Sequence, residues 1–293
     1  MNILLLGHEG YLGRGLAAYL ERNHRIVGWD KKEDLFSLDP SVLAREDIEV
    51  LINLSLMHDR QSKTYQLDSL PEKVNVMGAR HIAQILRGSE ITWFQFSTRE
   101  VFDPIYTVDD VVKTEQGYRP KFLVPDDQPY APQNFYGKTK VMSEFISEAH
   151  PFSNVIRLTS PYTDFDHASG GGWVLQLIKN VVSGRPIKLT RGGEQFRDPL
   201  HTDDLARLME LLCEKRVFGE KIHAGGGEEN LISLKEFVCR ADPKVEIESV
   251  TGGDYGFAFD NSKALKLTGW KPTVGIREKI PLIVENVRRG NKT

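Results

Sequence analysis

The sequence predicts an α/β protein: a doubly wound parallel sheet with a small C-terminal lobe. Two observations carry this. Short, continuous apolar runs recur through the first half of the chain, and stretches with helical apolar spacing separate them. Uninterrupted apolar runs suit strands covered on both faces. Strands alternating with helices build βαβ units joined by right-handed crossovers. A third observation, a glycine-rich turn between the first run and the first helix, places a ligand at one edge of that sheet.

Residues 3–6 form the first strand, ended by Gly7. Residues 11–22 follow as a helix. Residues 26–29 make a second strand that stops at Asp30, and residues 50–54 a third. Residues 74–86 carry apolar side chains at 74, 79, 82, 83, 85 and 86, which is helical spacing, and Gly88 stands where a helix cap would. Residues 91–96 are a fourth strand. Residues 103–134 are rich in Pro and Asp without a clean period; they read as a long loop, either a lid over a ligand or a surface excursion. A helix over 135–149 and a strand over 155–158 complete the pattern. Beyond that, Gly170, Gly171 and Gly172 interrupt the chain, a helix runs over 173–183, and short elements alternate to the end. The expected division is 1–158 and 159–293, a soft boundary that the chain is free to cross back over. No internal repeat or low-complexity segment appears.

Composition narrows the function. The chain has 293 residues, enough for a substantial core, with 40% hydrophobic and 27% charged residues. It carries 38 basic and 41 acidic residues, a net charge of −3, and so lacks the basic excess of a protein that holds nucleic acid by its phosphates. Two cysteines, Cys213 and Cys239, make no disulfide framework and show no metal spacing, which fits a reducing compartment. No apolar run reaches about 18 residues, so no membrane span is expected. The N-terminus has no basic region before its apolar run and does not read as a signal peptide. A cytoplasmic location is the expectation.

The glycine turn reads Gly7-His8-Glu9-Gly10-Tyr11-Leu12-Gly13. It leaves a strand and opens a helix. Glycines at 7, 10 and 13 allow a tight turn and close backbone approach to a pyrophosphate, which the helix N-terminus then faces with free N–H groups. Asp30 follows 17 residues after Gly13, at the end of the second strand. A carboxylate there accepts hydrogen bonds from an adenosine ribose and repels a 2′-phosphate. This reads as a Rossmann-type dinucleotide site that leans toward NAD, with NADP left open because Lys31 and Lys32 follow; the bland reading is an ordinary βα turn with a surface Asp. The bland reading of those lysines is a pair of solvated turn residues.

A second constellation supplies chemistry. Tyr136 and Lys140 are four apart on one predicted helix and share a face. A phenol has a pKa near 10 and is a poor base at neutral pH; a cation one turn away favours the phenolate. Thr98 closes the fourth strand, at the sheet edge where ligands sit, and offers a hydroxyl. His201 with Asp203 and Asp204 invites a metal reading, but Thr202 as a helix N-cap with two acids in the first turn explains the run more simply; no metal site is expected.

These residues resemble the extended branch of the short-chain dehydrogenases/reductases, the nucleotide-sugar epimerase/dehydratase family. Beyond the glycines, Asn75-Val76-Met77-Gly78-Ala79 is similar to the family's Asn-Val-x-Gly-Thr segment. Ser97-Thr98-Arg99-Glu100-Val101-Phe102 resembles its Ser-Thr-x-Glu-Val-Tyr strand end. Pro132 through Lys140 resembles its Tyr-x-x-x-Lys block, Arg197-Asp198-Pro199-Leu200-His201-Thr202-Asp203-Asp204-Leu205 its Arg-Asp-x-x-His-x-x-Asp block, and Gly269-Trp270-Lys271-Pro272 a late turn. The resemblance implies an NAD(P) cofactor held by Gly7, Gly10, Tyr11, Leu12, Gly13, Asp30, Leu54, Tyr136 and Lys140, in a dinucleotide-binding domain over 1–158. It implies a nucleotide-diphosphate sugar as substrate, its diphosphate on Arg197, in a lobe made mainly of 159–293. Tyr136 would take a sugar hydroxyl proton, Lys140 would keep Tyr136 anionic, and Thr98 would hydrogen-bond the same oxygen. Glu100 would serve as a base at a neighbouring carbon, or else pair with Arg99 or another cation; Arg197 would otherwise pair with Asp198.

Departures shape the reading. The family's dehydratases carry an acid directly after the Thr, where this chain has Arg99; Phe102 and Asp103 replace a Tyr and a Gly; Ser160-Pro161-Tyr162-Thr163-Asp164 replaces a family loop. Epimerisation by hydride transfer at a carbinol carbon is therefore the first expectation. Dehydration, decarboxylation or 4-keto-reduction is the second, and a non-catalytic NAD(P) sensor is the alternative of another class. The resemblance also suggests that helices over 70–87 and 135–150 pair across a homodimer axis, although Ile82, Ile85 and Phe145 could equally face the chain's own sheet.

Overall fold

The computed structural model describes residues 1–30, 32–102, 105–165 and 171–290. Its central sheet has six strands: β1 (Asn2–Leu6), β2 (Arg25–Trp29), β3 (Val50–Asn53), β4 (Thr92–Thr98), β5 (Ser153–Leu158) and β6 (Lys221–Ala224). The order is β2-β1-β3-β4-β5-β6, and every pairing is parallel. The main helices are α1 (Tyr11–Leu20), α2 (Gly78–Ile85), α3 (Phe135–Ser147), α4 (Trp173–Val182) and α5 (Thr202–Glu214).

The apolar runs are buried on both faces, as their continuity predicts. Ile3 and Leu5 point to one side, where α1 and α5 cover them with Leu16, Leu205 and Met209. Leu4 and Leu6 point to the other, against Leu51, Trp93 and Ile82 of α2. The two-residue period of a strand thus feeds two cores. β6 and α5 come from beyond residue 158, so the chain crosses back into the sheet. A third core gathers α4 and the helices Leu234–Ala241 and Ile276–Gly290 around Leu175, Phe237 and Ile280.

The order places a topological switch between β1 and β3, because the chain leaves β1 to one side through α1 and returns on the other. Ligands of open α/β sheets bind outside the strands' carboxyl ends at such a point. Gly7, Asp30, Leu54, Thr98 and Thr159, at or just beyond the ends of β1 to β5, all line one cleft there.

The stretch read as a long loop is neither a lid nor a loose excursion. It contains an antiparallel hairpin, Val111–Thr114 with Gly117–Pro120. Tyr106, Val111 and Val124 pack with Phe196, Phe257 and Phe259 in a fourth core, and none of its described residues lines the cleft. The hairpin strands are too short, and too exposed at Val112, Lys113 and Thr114, to show alternation. Asp103 lies outside the described residues.

Helix α5 is capped by His201, whose ring Nδ1 accepts from Asp203 N–H at 3.1 Å, and not by Thr202. Thr202 is buried against Gly15 of α1, so its hydroxyl is turned into that contact. Asp204 accepts from Thr273 and Val274 N–H, both at 2.8 Å, which anchors the turn after the buried Trp270. Both cysteines are free thiols. Among the described residues no helix is long and apolar enough to cross a membrane, and no cluster of three His, Cys, Asp or Glu residues is placed to hold a metal.

Candidate active site

The cleft encloses about 1040 Å³. One end is the glycine turn. Gly7 has φ +84°, a left-handed value that favours glycine. A Cβ on Gly13 would lie 2.2 Å from the Gly7 carbonyl oxygen, so α1 packs on the turn only because position 13 is bare. Leu54 backs Gly7, and Tyr11 and Leu12 line the same wall. The Tyr11 hydroxyl accepts from Thr163 N–H at 3.1 Å, and burial pushes its pKa up to about 12. Gly171 and Gly172 also line the cleft; Gly170 lies outside the described residues.

Asp30 stands at the end of β2, facing the cleft. It accepts from Glu9 N–H at 2.8 Å, and His8 Nδ1 lies 3.9 Å away. Its carboxylate is thereby fixed beside the glycine turn. Lys32 points to solvent, 82% exposed and 3.9 Å from Glu9, which is the solvated-turn reading; Lys31 lies outside the described residues. The bare turn, the free N-terminus of α1 and the oriented Asp30 together fit the pyrophosphate and adenosine ribose of a dinucleotide.

At the other end α3 begins. Asn134 caps it, accepting from Gly137 N–H at 2.8 Å. Tyr136 and Lys140 lie one turn apart, almost fully buried at 3% and 2% exposure, and both line the cleft. The Thr98 side chain lies on the Tyr136 phenol's side of the cleft and acts to lower its pKa, and its hydroxyl accepts from Glu100 N–H at 3.3 Å. Burial pushes Lys140 down to about 8, opposed by Glu144 one turn further on. Burial likewise raises the phenol well above its ordinary value. The resemblance makes Lys140 the cation that acts on Tyr136, but Arg60 is the group that lowers it most. Lys140 is itself desolvated, and its charge is answered by Glu144.

Glu100 lines the cleft beside them, engaged through both oxygens. Arg60 Nε lies 2.6 Å from Oε1, and the Asn134 amide donates to Oε2 at 2.7 Å. Its cation is therefore Arg60 and not Arg99. Arg99 instead reaches Asp254 at 3.5 Å, and Arg197 contacts the same carboxylate at 3.1 Å. Arg197 also donates to Phe196 O at 2.8 Å. Its partner is not Asp198, which is fully buried, accepts from Gly227 and Phe259 N–H, and is pushed up to about 7 by burial. Arg99 and Arg197 thus present two guanidinium groups to the cleft around one aspartate.

Sequence reasoning missed His58, Arg60 and Asn134. His58, an exposed residue, packs its ring 4.6 Å from that of Tyr136; desolvation and the Arg60 charge push its pKa down to about 4. The signal was position: these residues follow β3 at the carboxyl edge of the sheet. Asn75 sits in a wide helical turn, Lys73–Met77, and clasps this segment through Met57 N–H and C=O, both at 2.8 Å. Such one-turn widenings often mark functional positions.

Comparison with known proteins agrees with this geometry. Residues 3–225 match the NAD dependent epimerase/dehydratase family. The chain is 23% identical to a dTDP-glucose 4,6-dehydratase of Neisseria gonorrhoeae over 98% of this chain and 97% of that protein. It is 26% identical to a dTDP-4-dehydro-6-deoxyglucose reductase of Escherichia coli over 56% of this chain and 55% of that protein. Among solved structures, the UDP-glucuronic acid 4-epimerase of Bacillus cereus, bound to UDP-glucuronic acid and NAD, superposes with a TM-score of 0.80 at 20% identity, covering 99% of each chain. The glycine cradle, the oriented Asp30, the Tyr136–Thr98 pair and the match over most of the sequence converge: this chain belongs to the NAD dependent epimerase/dehydratase family.

Proposed function

We propose that this protein is a cytoplasmic NAD(P)-dependent enzyme acting on a nucleotide-diphosphate sugar, with epimerisation at a sugar carbinol carbon as its reaction. The observation that carries the reading is one cleft with a dinucleotide cradle at one end and a Tyr136–Thr98–Lys140 set at the other. Residues 1–158 would serve mainly as the dinucleotide-binding part, and most of 159–293 as the substrate lobe.

A bound NAD(P) would supply the hydride acceptor and donor for the carbinol carbon. An alcohol yields hydride only as its proton leaves, and Tyr136 is the group placed to take that proton. Thr98 orients the same oxygen. Lys140 would hold the cofactor's ribose. Asp30 receives the adenosine ribose, which favours NAD over NADP. Arg197, with its planar donor fork, takes the substrate diphosphate. Most of the rate enhancement then comes from positioning.

Arg99 stands where an acid would assist loss of water, and Glu100 is occupied by Arg60 and Asn134. These two facts favour epimerisation. Glu100 lining the cleft supports a second reading, dehydration or decarboxylation with Glu100 as base. We also propose a homodimer. Met77, Met142 and Phe145, on or next to the adjacent helices α2 and α3, are 41%, 40% and 53% exposed, whereas Ile82 is buried on the chain's own sheet.

The test is product mass spectrometry with a panel of nucleotide sugars, with NAD or NADPH, in heavy water. An unchanged formula with a new sugar supports epimerisation. Loss of water with solvent deuterium gained, or loss of carbon dioxide, replaces it with the second reading. Consumption of NADPH with hydrogens added means a keto-reductase. Binding of NAD with no turnover on any sugar, unchanged by Tyr136→Phe, would leave a sensor.

A further inference from the structure

The segment after β3 is fastened to the start of α3. Phe135 N–H donates to Ser62 O at 2.8 Å, and Tyr136 N–H to Asp59 O at 3.1 Å. Asp59 folds the segment by accepting from Gln61 and Ser62 N–H. Two N–H groups that a helix leaves unpaired at its first turn are thereby used to hold a loop. That loop lays the Arg60 guanidinium over the Tyr136 ring, 5.5 Å from its centroid. Glu100 grips the guanidinium at 2.6 Å, and Asn134, the cap of α3, grips Glu100 at 2.7 Å. Loop, strand end and catalytic helix thus close a ring of contacts around one phenol.

The charged and titratable groups that face the phenol come from every element around it: His58 and Arg60 from the loop, Glu100 after β4, and Lys140 on α3 itself. Desolvation and the neighbouring Arg60 charge push the His58 imidazole down to about 4, which favours its neutral form. Lys140 faces Glu144. Arg60 remains as the permanent cation, and Glu100 as the opposing charge.

We propose that Arg60, clamped by Glu100 over the ring, is a positioning residue that holds the phenolate of Tyr136, with Glu100 as its counterweight. This rests on the reading of Tyr136 as the proton acceptor. A sugar hydroxyl gives its proton to the phenolate oxygen; Arg60 stabilises the charge there before transfer and Glu100 limits that stabilisation. Because Arg60 is 57% exposed, water screens it, and its influence is modest. One unit charge at this distance in a partly solvated setting moves a titration by about one pH unit.

The experiment measures the pH profile of kcat/KM for the NAD-loaded enzyme. Alongside it, the Cζ resonance of Tyr136 in carbon-13 tyrosine-labelled protein, assigned by its loss in Tyr136→Phe, is followed with and without NAD. Arg60→Gln should move the rising limb of the profile and the onset of phenolate formation up by about one pH unit, and Glu100→Gln should move both down by a similar amount. Arg60→Lys, which keeps the charge, should restore the limb to near its original position. A purely structural role predicts lost activity without opposite shifts, so shifts of the same sign, or none in folded variants, overturn the proposal. If no sugar is turned over but the resonance still moves in opposite directions, the reaction assigned to this site fails and the electrostatic role of Arg60 stands.

Discussion

Beneath Thr98 and Lys140 lies a buried ion pair whose removal has a calculable cost. Glu144 on α3 is fully buried and Arg157 on β5 is 2% exposed. Arg157 Nη2 reaches Glu144 at 2.8 Å and Nε bonds both its oxygens at 3.2 Å. The Tyr130 hydroxyl donates to the same carboxylate at 2.6 Å, and the Ser97 hydroxyl donates to its other oxygen. Glu144→Leu strips these donors of their acceptor and leaves a guanidinium whose remaining hydrogen-bond partners, Asp126 O, the Tyr130 hydroxyl and His223 Nε2, carry no negative charge. Breaking one side of a buried pair costs about 3–5 kcal/mol, mostly the penalty of the stranded charge. With a urea slope of about 3 kcal/mol per molar for a chain of this size, the unfolding midpoint should fall by about 1–1.7 M. Glu144→Leu with Arg157→Leu removes the stranded charge as well, and the double variant should recover about 2 kcal/mol relative to Glu144→Leu alone. The assay is urea unfolding followed by circular dichroism, comparing midpoints at equal slope. A single variant that loses less than about 1 kcal/mol, or a double variant less stable than the single, refutes the reasoning.

Other consequences follow from the same geometry. Gly13→Ala drives a Cβ into the Gly7 carbonyl and should weaken NAD binding at least about tenfold by calorimetry, with far-ultraviolet circular dichroism little changed. Asp30→Ala should weaken NAD and narrow its advantage over NADP, read as the ratio of the two dissociation constants. Arg197→Met should weaken nucleoside-diphosphate inhibition by about tenfold or more, since the phosphate contact proposed for its guanidinium would be lost. Lys140 gives a pH signature. Its folded pKa of about 8 lies below its unfolded value, so between pH 8 and about 10.4 the unfolded chain binds the extra proton and this group makes stability rise with pH. Lys140→Met should flatten that part of the melting-temperature profile and stabilise the protein below pH 8; an unchanged slope between variant and parent contradicts the buried placement.

Much of the fold was legible because its signals are local. The five strands read from apolar runs all exist, and β4 merely runs on to Thr98. Helices over 135–149 and 173–183 correspond to Phe135–Ser147 and Trp173–Val182. β6 escaped because Lys221-Ile222-His223-Ala224 is a sheet-edge strand with a charged start and a histidine inside it, no apolar run at all. The hairpin at 111–120 escaped because half its side chains face water. In the site, Tyr136 with Lys140 and the three glycines could be read from spacing, since i and i+4 share a helix face in any context. The cap of α5 was misassigned because a histidine ring nitrogen can accept as a threonine hydroxyl does, and only the packing of Thr202 against Gly15 decides between them.

The sequence by itself determined which segments would be strands buried on both faces, where the chain could turn closely enough to cradle a pyrophosphate, and which phenol and ammonium would share one helix face. Each of these is a property of a few neighbouring residues and their periodicity. Only the tertiary structure decided the partners: Arg60 over Tyr136, Asn134 on Glu100, one Asp254 between Arg99 and Arg197, and Glu144 beneath Lys140 and Ser97. A charged side chain pairs with whatever opposite charge the topology carries to the same edge of the sheet. That edge gathers residues from β1 through β5 and from the lobe beyond, far apart in sequence, so composition and spacing leave the pairing open and the crossing of the chain selects it.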